Sequence, residues 1–341
     1  MKWALPATLY CAISMSNPSY LYESDTTNPY ANIAREEQLL LGVPLDAVIL
    51  YLWQNERTVV IGRNQCAWSE CNVQSLKEDN GFLARRLSGG GAVFHDLGNL
   101  NFTFLYPKKS EDIARQTRVI AGAVASFGLR PEISGRNDIT VDGKKFSGNA
   151  YYTQGNRAYH HGTLMLDVNP AALTKYLNVH QEKYRSKGVD SVRARVVNLQ
   201  ELCSDITVRT MKDALIKAFE TEYQCPVADM PTSWMQEAEM ETRRERFSGW
   251  DWVYGRPVQC SWSGETRFPW GTLRVELDVD KGIIRDLGIF TDALEVNVYQ
   301  EMEQKLKGQR FDKNALTEAI LKGMEQNQYA DGLQSLLESA F

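Results

Sequence analysis

The sequence predicts an α+β fold: a large mixed or antiparallel sheet flanked by helices, followed by a small α+β C-terminal domain. Two observations carry this. Short β-rich runs are joined by tight polar turns, as at Asp142-Gly143 and Asp280-Lys281-Gly282, which is how antiparallel hairpins reverse. Amphipathic helices alternate with these hairpins, so the pattern is not that of a parallel doubly wound sheet. The clearest helix, Thr207 to Tyr223, puts Met211, Leu215, Ala218, Phe219 and Tyr223 on one face.

Taken in order, Leu21 to Asp25 reads as a first strand, and Asn28-Pro29-Tyr30 opens a helix carrying Ile33, Glu37 and Leu40. Ala47 to Trp53 and Thr58 to Gly62 are β-rich and flank the polar Gln54-Asn55-Glu56, which predicts a hairpin. Trp68 to Asp79 is helical in pattern, and Phe82 to Arg86 is strand-like. A helix from Ser110 carries Ile113, Ile120, Val124 and Phe127 and stops at Gly128. Ser134 to Asp138 is a turn, Ile139 to Val141 a strand, and Lys144-Lys145-Phe146 begins the return strand. Ala158 to Asp167 is a further strand in which His160 and His161 must face opposite ways. Glu182 to Arg195 is polar and basic and reads as a mobile loop. Strands at Gly271–Val279 and Gly282–Phe290 precede helices at Val298–Leu306 and Lys313–Met324. Residues 1–14 read as an extension outside the fold, 15–250 as the large domain and 254–341 as the small one.

Composition narrows the function. At 341 residues the chain has room for one large domain and a smaller one, and 43% hydrophobic with 24% charged residues is ordinary for a soluble globular protein. A net charge of −5 argues against a dedicated nucleic-acid binder. No apolar run approaches the ~20 residues of a membrane span. Six cysteines without CxxC pairs read as reduced thiols, which places the chain in the cytoplasm.

The most informative stretch is RRLSGGGAVFHDLGNLNFTF, Arg85 to Phe104. Three glycines let the backbone turn with positive φ and approach a ligand closely. Free N–H groups in such a turn, with an arginine fork beside them, suit a carboxylate or phosphate. Neither G-x-x-x-x-G-K-[ST] nor G-x-G-x-x-G occurs, so a nucleotide would bind by another route. Arg85, Arg86 and Gly89 to Phe94 are the candidates, facing a lysine of the Lys144-Lys145 strand.

This stretch, with GRNDITVDGKKFSGNAYY, HHGTLMLDV and SKGVDSVRARVVNL in the same order, resembles the lipoate–protein ligase A family of the biotin and lipoate ligase superfamily. The resemblance spans roughly Tyr22 to Asn198, and Gly249-Trp250-Asp251-Trp252 is similar to the family's entry to a small C-terminal domain. It implies a catalytic domain that activates lipoate with ATP to lipoyl-adenylate. The lipoyl group then passes to a lysine of apo lipoyl carrier domains: E2 subunits of 2-oxoacid dehydrogenases and the glycine cleavage H protein. It further implies that Arg86, Gly91, Ala92, Val93, Phe94 and Lys145 bind ATP or the adenylate; Gly89, Gly90 and His95 of the same loop and Lys187 and Arg193 of the basic loop are further candidates, with a bond to a backbone carbonyl the alternative for His95. Lys145 would be catalytic, meeting the lipoyl carboxylate, and Lys183 to Arg195 would be the loop over the intermediate.

Elementary chemistry agrees. Bringing a carboxylate onto an α-phosphate requires charge neutralisation and alignment, which a fixed ammonium and backbone N–H groups supply. Mg²⁺ would accompany the pyrophosphate, and Asp138 is the candidate ligand. Two rivals stay open. An ATP-independent octanoyl or lipoyl transferase would need a nucleophilic cysteine, and none occurs between Cys71 and Cys203. A non-catalytic lipoate-binding protein would lack ATP–pyrophosphate exchange.

Overall fold

The computed structural model describes residues 18–134, 138–178, 196–231, 234–255 and 261–341. Its strands are β1 (Ser19–Glu23), β2 (Val48–Trp53), β3 (Thr58–Ile61), β4 (Phe82–Arg85), β5 (Val93–His95), β6 (Asn99–Pro107) and β7 (Pro131–Ser134). They continue as β8 (Asp138–Val141), β9 (Lys144–Gln154), β10 (Arg157–Met165), β11 (Val227–Asp229), β12 (Trp262–Phe268), β13 (Gly271–Asp280) and β14 (Ile283–Thr291). The helices that matter most are α1 (Pro29–Gly42), α2 (Ile113–Ala125), α3 (Val208–Tyr223) and α4 (Trp250–Val253).

Eight strands form one sheet in the order β11-β1-β2-β6-β10-β9-β8-β7. β1 runs parallel to β2 and β11, and the other neighbours are antiparallel. This is the mixed, mainly antiparallel sheet that the hairpin turns predict. A small sheet, β4-β3-β5, lies apart, and β12-β13-β14 form an antiparallel meander. The α+β class holds for both parts.

Why β2 reads VILYLW without alternation is plain from its position: all six residues are buried, because both faces of the sheet are covered. Leu50 and Leu52 face a core shared with Ile120 and Val124 of α2 and with Leu215 and Phe219 of α3. Ile49, Tyr51 and Trp53 face the other way, against Ile33, Leu39 and Leu40 of α1. Asn28 caps α1, accepting from Tyr30 N and Ala31 N. Thr207 caps α3 in a reciprocal box with Thr210. A separate core joins β13 and β14 to the C-terminal helices, with Leu273, Val275, Leu277, Leu306, Ile320 and Leu333 buried.

Three expectations change. The hairpin predicted across Gln54-Asn55-Glu56 does not form: β2 is already flanked by β1 and β6, so β3 pairs in the other sheet. Asn55 turns the chain instead, with its side chain buried between Asn32 and His95. The helix expected over 68–79 is two short ones, Ala67–Glu70 and Val73–Glu78, broken where Cys71 bridges Leu177 and Asn72 caps the second. A last helix, Gln328–Glu338, capped by Asn327, adds to the two expected in the C-terminal part. The loop predicted at 182–195, including Lys187 and Arg193, lies outside the described residues.

Phe219 is fully buried, with ring contacts to Phe104 and Tyr223 at 5.8 and 4.6 Å. Phe219→Ala should therefore cost about 3–5 kcal/mol in urea unfolding.

Candidate active site

A cavity of about 170 Å³ opens between the large sheet and the small β4-β3-β5 sheet. Its walls bring together Arg86, Gly90, Gly91, Ala92, Val93 and His95 from one side with Lys145 from the other.

The glycine loop is shaped from within. Arg86 is buried, and its guanidinium donates to Ser88 Oγ at 3.0 Å, Gly89 O at 2.7 Å, Gly91 O at 2.8 Å and Val60 O at 3.2 Å. The fork assigned to a ligand anion is thus largely engaged by the loop's own carbonyls, which turn inward because Gly90 takes φ +88°. Arg85 also departs from expectation. As the adjacent strand residue it points the other way, donating to Gly62 O, Arg63 O and Gln65 O and to Trp252 O and Val253 O of α4. Burial lowers both arginines to about 10, so they remain charged at neutral pH.

Two further loop assignments shift. The Gly90 N–H, expected to be free, donates to Ala293 O at 2.9 Å, because the segment after β14 crosses the loop. Gly89 lies under that segment, and a Cβ there would stand 2.3 Å from Ala293 O, so it does not line the cavity. Phe94 turns away into the core beside Val59 and Ile61 and meets Tyr176 at 5.4 Å.

Lys145 and Lys144 separate as a strand requires. Lys144 is exposed, whereas Lys145 lines the cavity and its Nζ lies 2.8 Å from Asp138 Oδ1. A register shift between Ile139 and Thr140 sets Lys145 opposite Thr140, and its carbonyl accepts from Val197 N at 3.0 Å. Asp138, the candidate metal ligand, is paired with this ammonium. Among the described residues no group of three or more His, Cys, Asp or Glu side chains could hold a metal ion.

Sequence reasoning missed a buried polar chain behind the loop. Trp53 Nε1 donates to Thr103 Oγ1 at 3.1 Å, and Thr103 Oγ1 to Glu36 Oε1 at 2.7 Å. His161 Nδ1 meets the same Oε1 at 2.8 Å, and its Nε2 meets Ser88 Oγ at 2.8 Å. The Glu36 carboxylate only accepts, so His161 Nδ1–H donates to it, and Ser88 Oγ accepts from Arg86 while it meets His161 Nε2. The Arg86 guanidinium is thus tied to the Glu36 carboxylate through Ser88 and His161. The available signal was the His160-His161 alternation together with a glutamate, Glu36, one residue before the Glu37 assigned to the helical stripe. His160 points to the opposite face, its two ring nitrogens set against the side-chain amides of Gln116 at 3.0 Å and Asn149 at 2.9 Å.

The family pattern described as lipoyl protein ligase A/B catalytic domain matches residues 28–220, and that described as bacterial lipoate protein ligase C-terminus matches 258–336. The chain belongs to the lipoate–protein ligase A family. A lipoate-protein ligase A of Psychrobacter cryohalolentis is 41% identical over 302 residues, 86% of this chain and 89% of its own length. The structure of P. falciparum LipL1 in complex with lipoate superposes with a TM-score of 0.80 at 30% identity, over 93% of this chain and 98% of that one. A lipoate-protein ligase A bound with ATP gives a TM-score of 0.60 at 25% identity, over 71% and 99%.

Within this family framework two outcomes are expected. At Gly90 the φ is positive, and a Cβ would stand only 3.0 Å from Arg86 Nη2, so a branched side chain is excluded. Gly90→Val should weaken lipoate binding in calorimetry while circular dichroism stays unchanged.

The second outcome is a pH dependence. Burial first, then neighbouring charge, holds His95 and His160 down to about 3, so both are neutral in the fold. Unfolded histidine takes its proton near 6.5, so stability is full above that pH and falls as pH drops from about 6.5 toward 3. Each histidine contributes a slope of about 1.4 kcal/mol per pH unit in that window. Urea unfolding at pH 7.5 and 5.0 should show a smaller loss in His160→Gln than in the parent.

Proposed function

We infer that this chain is an ATP-dependent lipoate–protein ligase. The observation that carries the reading is an ammonium, Lys145, and a glycine loop walling the same cavity in a chain of this family. In the first step a lipoate carboxylate oxygen attacks the α-phosphorus of ATP. The bond to the bridging oxygen breaks, and pyrophosphate leaves with the electron pair. In the second, the unprotonated amine of a carrier lysine attacks the acyl carbon, AMP leaves, and the amine's proton goes to solvent.

Lys145 is assigned to the point where the two anions meet. Its ammonium offsets their repulsion and holds them in line, a preorganised charge that needs no reorientation as the bond forms. Asp138 keeps that ammonium aimed until the substrates arrive. Arg86 acts at one remove, by fixing the carbonyls of Gly89 and Gly91 so that Ala92 and Val93 keep their place in the wall. Lys187 and Arg193 are assigned to the adenylate by resemblance. Mg²⁺, where it accompanies the nucleotide, would be held by phosphate oxygens together with the Asp138 carboxylate beside Lys145.

The acceptors are apo lipoyl domains of E2 subunits and the glycine cleavage H protein. Residues 15–250 form the catalytic unit in this reading and 254–341 the accessory unit, with residues 1–14 outside both. A cytoplasmic location suits the free thiols of Cys66, Cys71, Cys203 and Cys225, and no helix among the described residues is long and apolar enough to cross a membrane. The thioester rival is disfavoured because Cys71 is buried in another core, where its thiol is pushed up to about 12.

Lipoate-dependent ATP–pyrophosphate exchange tests the reading. Lys145→Ala should lose about 10²–10³ in rate, the usual effect of removing one preorganised donor. The exposed Lys144→Ala should stay within about twofold, as surface changes do. Equal losses at the two positions would assign the chemistry to the wrong lysine.

A further inference from the structure

The Lys145 ammonium is held by a short stretch of two paired strands, and one position in that stretch carries no side chain. Across β8 and β9, Asp138 stands opposite Gly148, Ile139 opposite Ser147 and Thr140 opposite Lys145. The two steps along β8 from Asp138 to Thr140 are thus matched by three along β9, from Gly148 to Lys145. Phe146 is the extra residue, and it drops into the core that also holds Ile139 and Val141.

In a regular strand, residues three apart face opposite ways. The bulge cancels that rule here. Lys145 and Gly148 share a face with Asp138 and Thr140, and both line the cavity.

That shared face decides the course of the lysine. Its stem runs back along β9 over Gly148, and Nζ ends 2.8 Å from Asp138 Oδ1. A Cβ at Gly148 would stand 3.1 Å from Nζ and 3.2 Å from Cε of Lys145. Both distances are shorter than an ordinary van der Waals contact, so the end of the lysine would have to lift. The next nearest atom, Thr163 Oγ1, is 4.0 Å away, so little else would be disturbed. The backbone itself admits a side chain, because Gly148 lies outside the left-handed region.

We propose that Gly148 is a positioning residue for adenylation: its bare backbone is the floor on which the Lys145 ammonium rests. The inference rests on the ligase reading and deepens it. An ammonium set between a carboxylate and an α-phosphate must meet both at once, and its depth in the cavity decides whether it can. Lifting it by a fraction of an ångström lengthens those contacts, and rates are sensitive to such displacements because alignment supplies much of the barrier lowering. Gly148 supplies no reacting group. It acts through Lys145.

The test is lipoate-dependent ATP–pyrophosphate exchange by the full chain, in the parent, Gly148→Ala, Lys145→Ala and the double variant. Gly148→Ala should lose roughly tenfold to a hundredfold in exchange rate at saturating substrates. Its urea midpoint should match or exceed the parent's, since alanine restricts the unfolded chain more than glycine does. In the Lys145→Ala background the same change should cost less than about twofold, because the stem it would lift is gone. A merely structural role predicts a lower urea midpoint and the same fold-loss in both backgrounds. Either of those results, or unchanged exchange in Gly148→Ala, would overturn the inference. A folded parent without lipoate-dependent exchange would instead remove the ligase reading, and the inference with it.

Discussion

The site depends on one buried cation. Arg86 gathers the carbonyls of Gly89, Gly91 and Val60 around its guanidinium, so the glycine loop is held by charge-assisted bonds rather than by packing. A buried charge is tolerable only when it is bonded and balanced. The loop supplies the bonds, and Glu36 supplies the balance through Ser88 and His161. Helix α1, strands β2, β6 and β10, and the small sheet are thereby joined by one path of polar atoms. Each must sit in register for the loop to keep its shape.

That path also explains the division of labour between neighbouring residues. Arg85 and Arg86 are adjacent on a strand end and point apart: one fastens α4 to the small sheet, and the other shapes the cavity wall. His160 and His161 divide in the same way between the α2 side of the large sheet and the cavity side. Lys144 and Lys145 do so again between solvent and cavity. The alternation of the strand thus separates, three times, a residue at the site from a neighbour that faces elsewhere.

Much of this was legible in the sequence because it rests on local signals. Hairpin turns such as Asp142-Gly143, with both residues at positive φ, and the apolar stripe of α3 gave the α+β class directly. Family motifs singled out Lys145 from its neighbour. What escaped was set by long-range pairing. Nothing local shows that β2 has both edges taken, so Asn55 read as a hairpin tip when it is a buried link between Asn32 and His95. Nor does a run of residues reveal which way an arginine fork turns once carbonyls from Val60 to Gly91 surround it. Glu36 was hidden for the same reason: its partners, Thr103 and His161, lie 67 and 125 residues away.

The contact between Gly90 N and Ala293 O has a thermodynamic corollary. A ligand group that takes this N–H must displace a carbonyl belonging to the segment after β14. Seating of the C-terminal sheet and occupancy of the cavity are then linked equilibria, and linkage is symmetric. Whatever free energy the seated carbonyl withholds from the ligand, the bound ligand withholds from the seating, in equal measure.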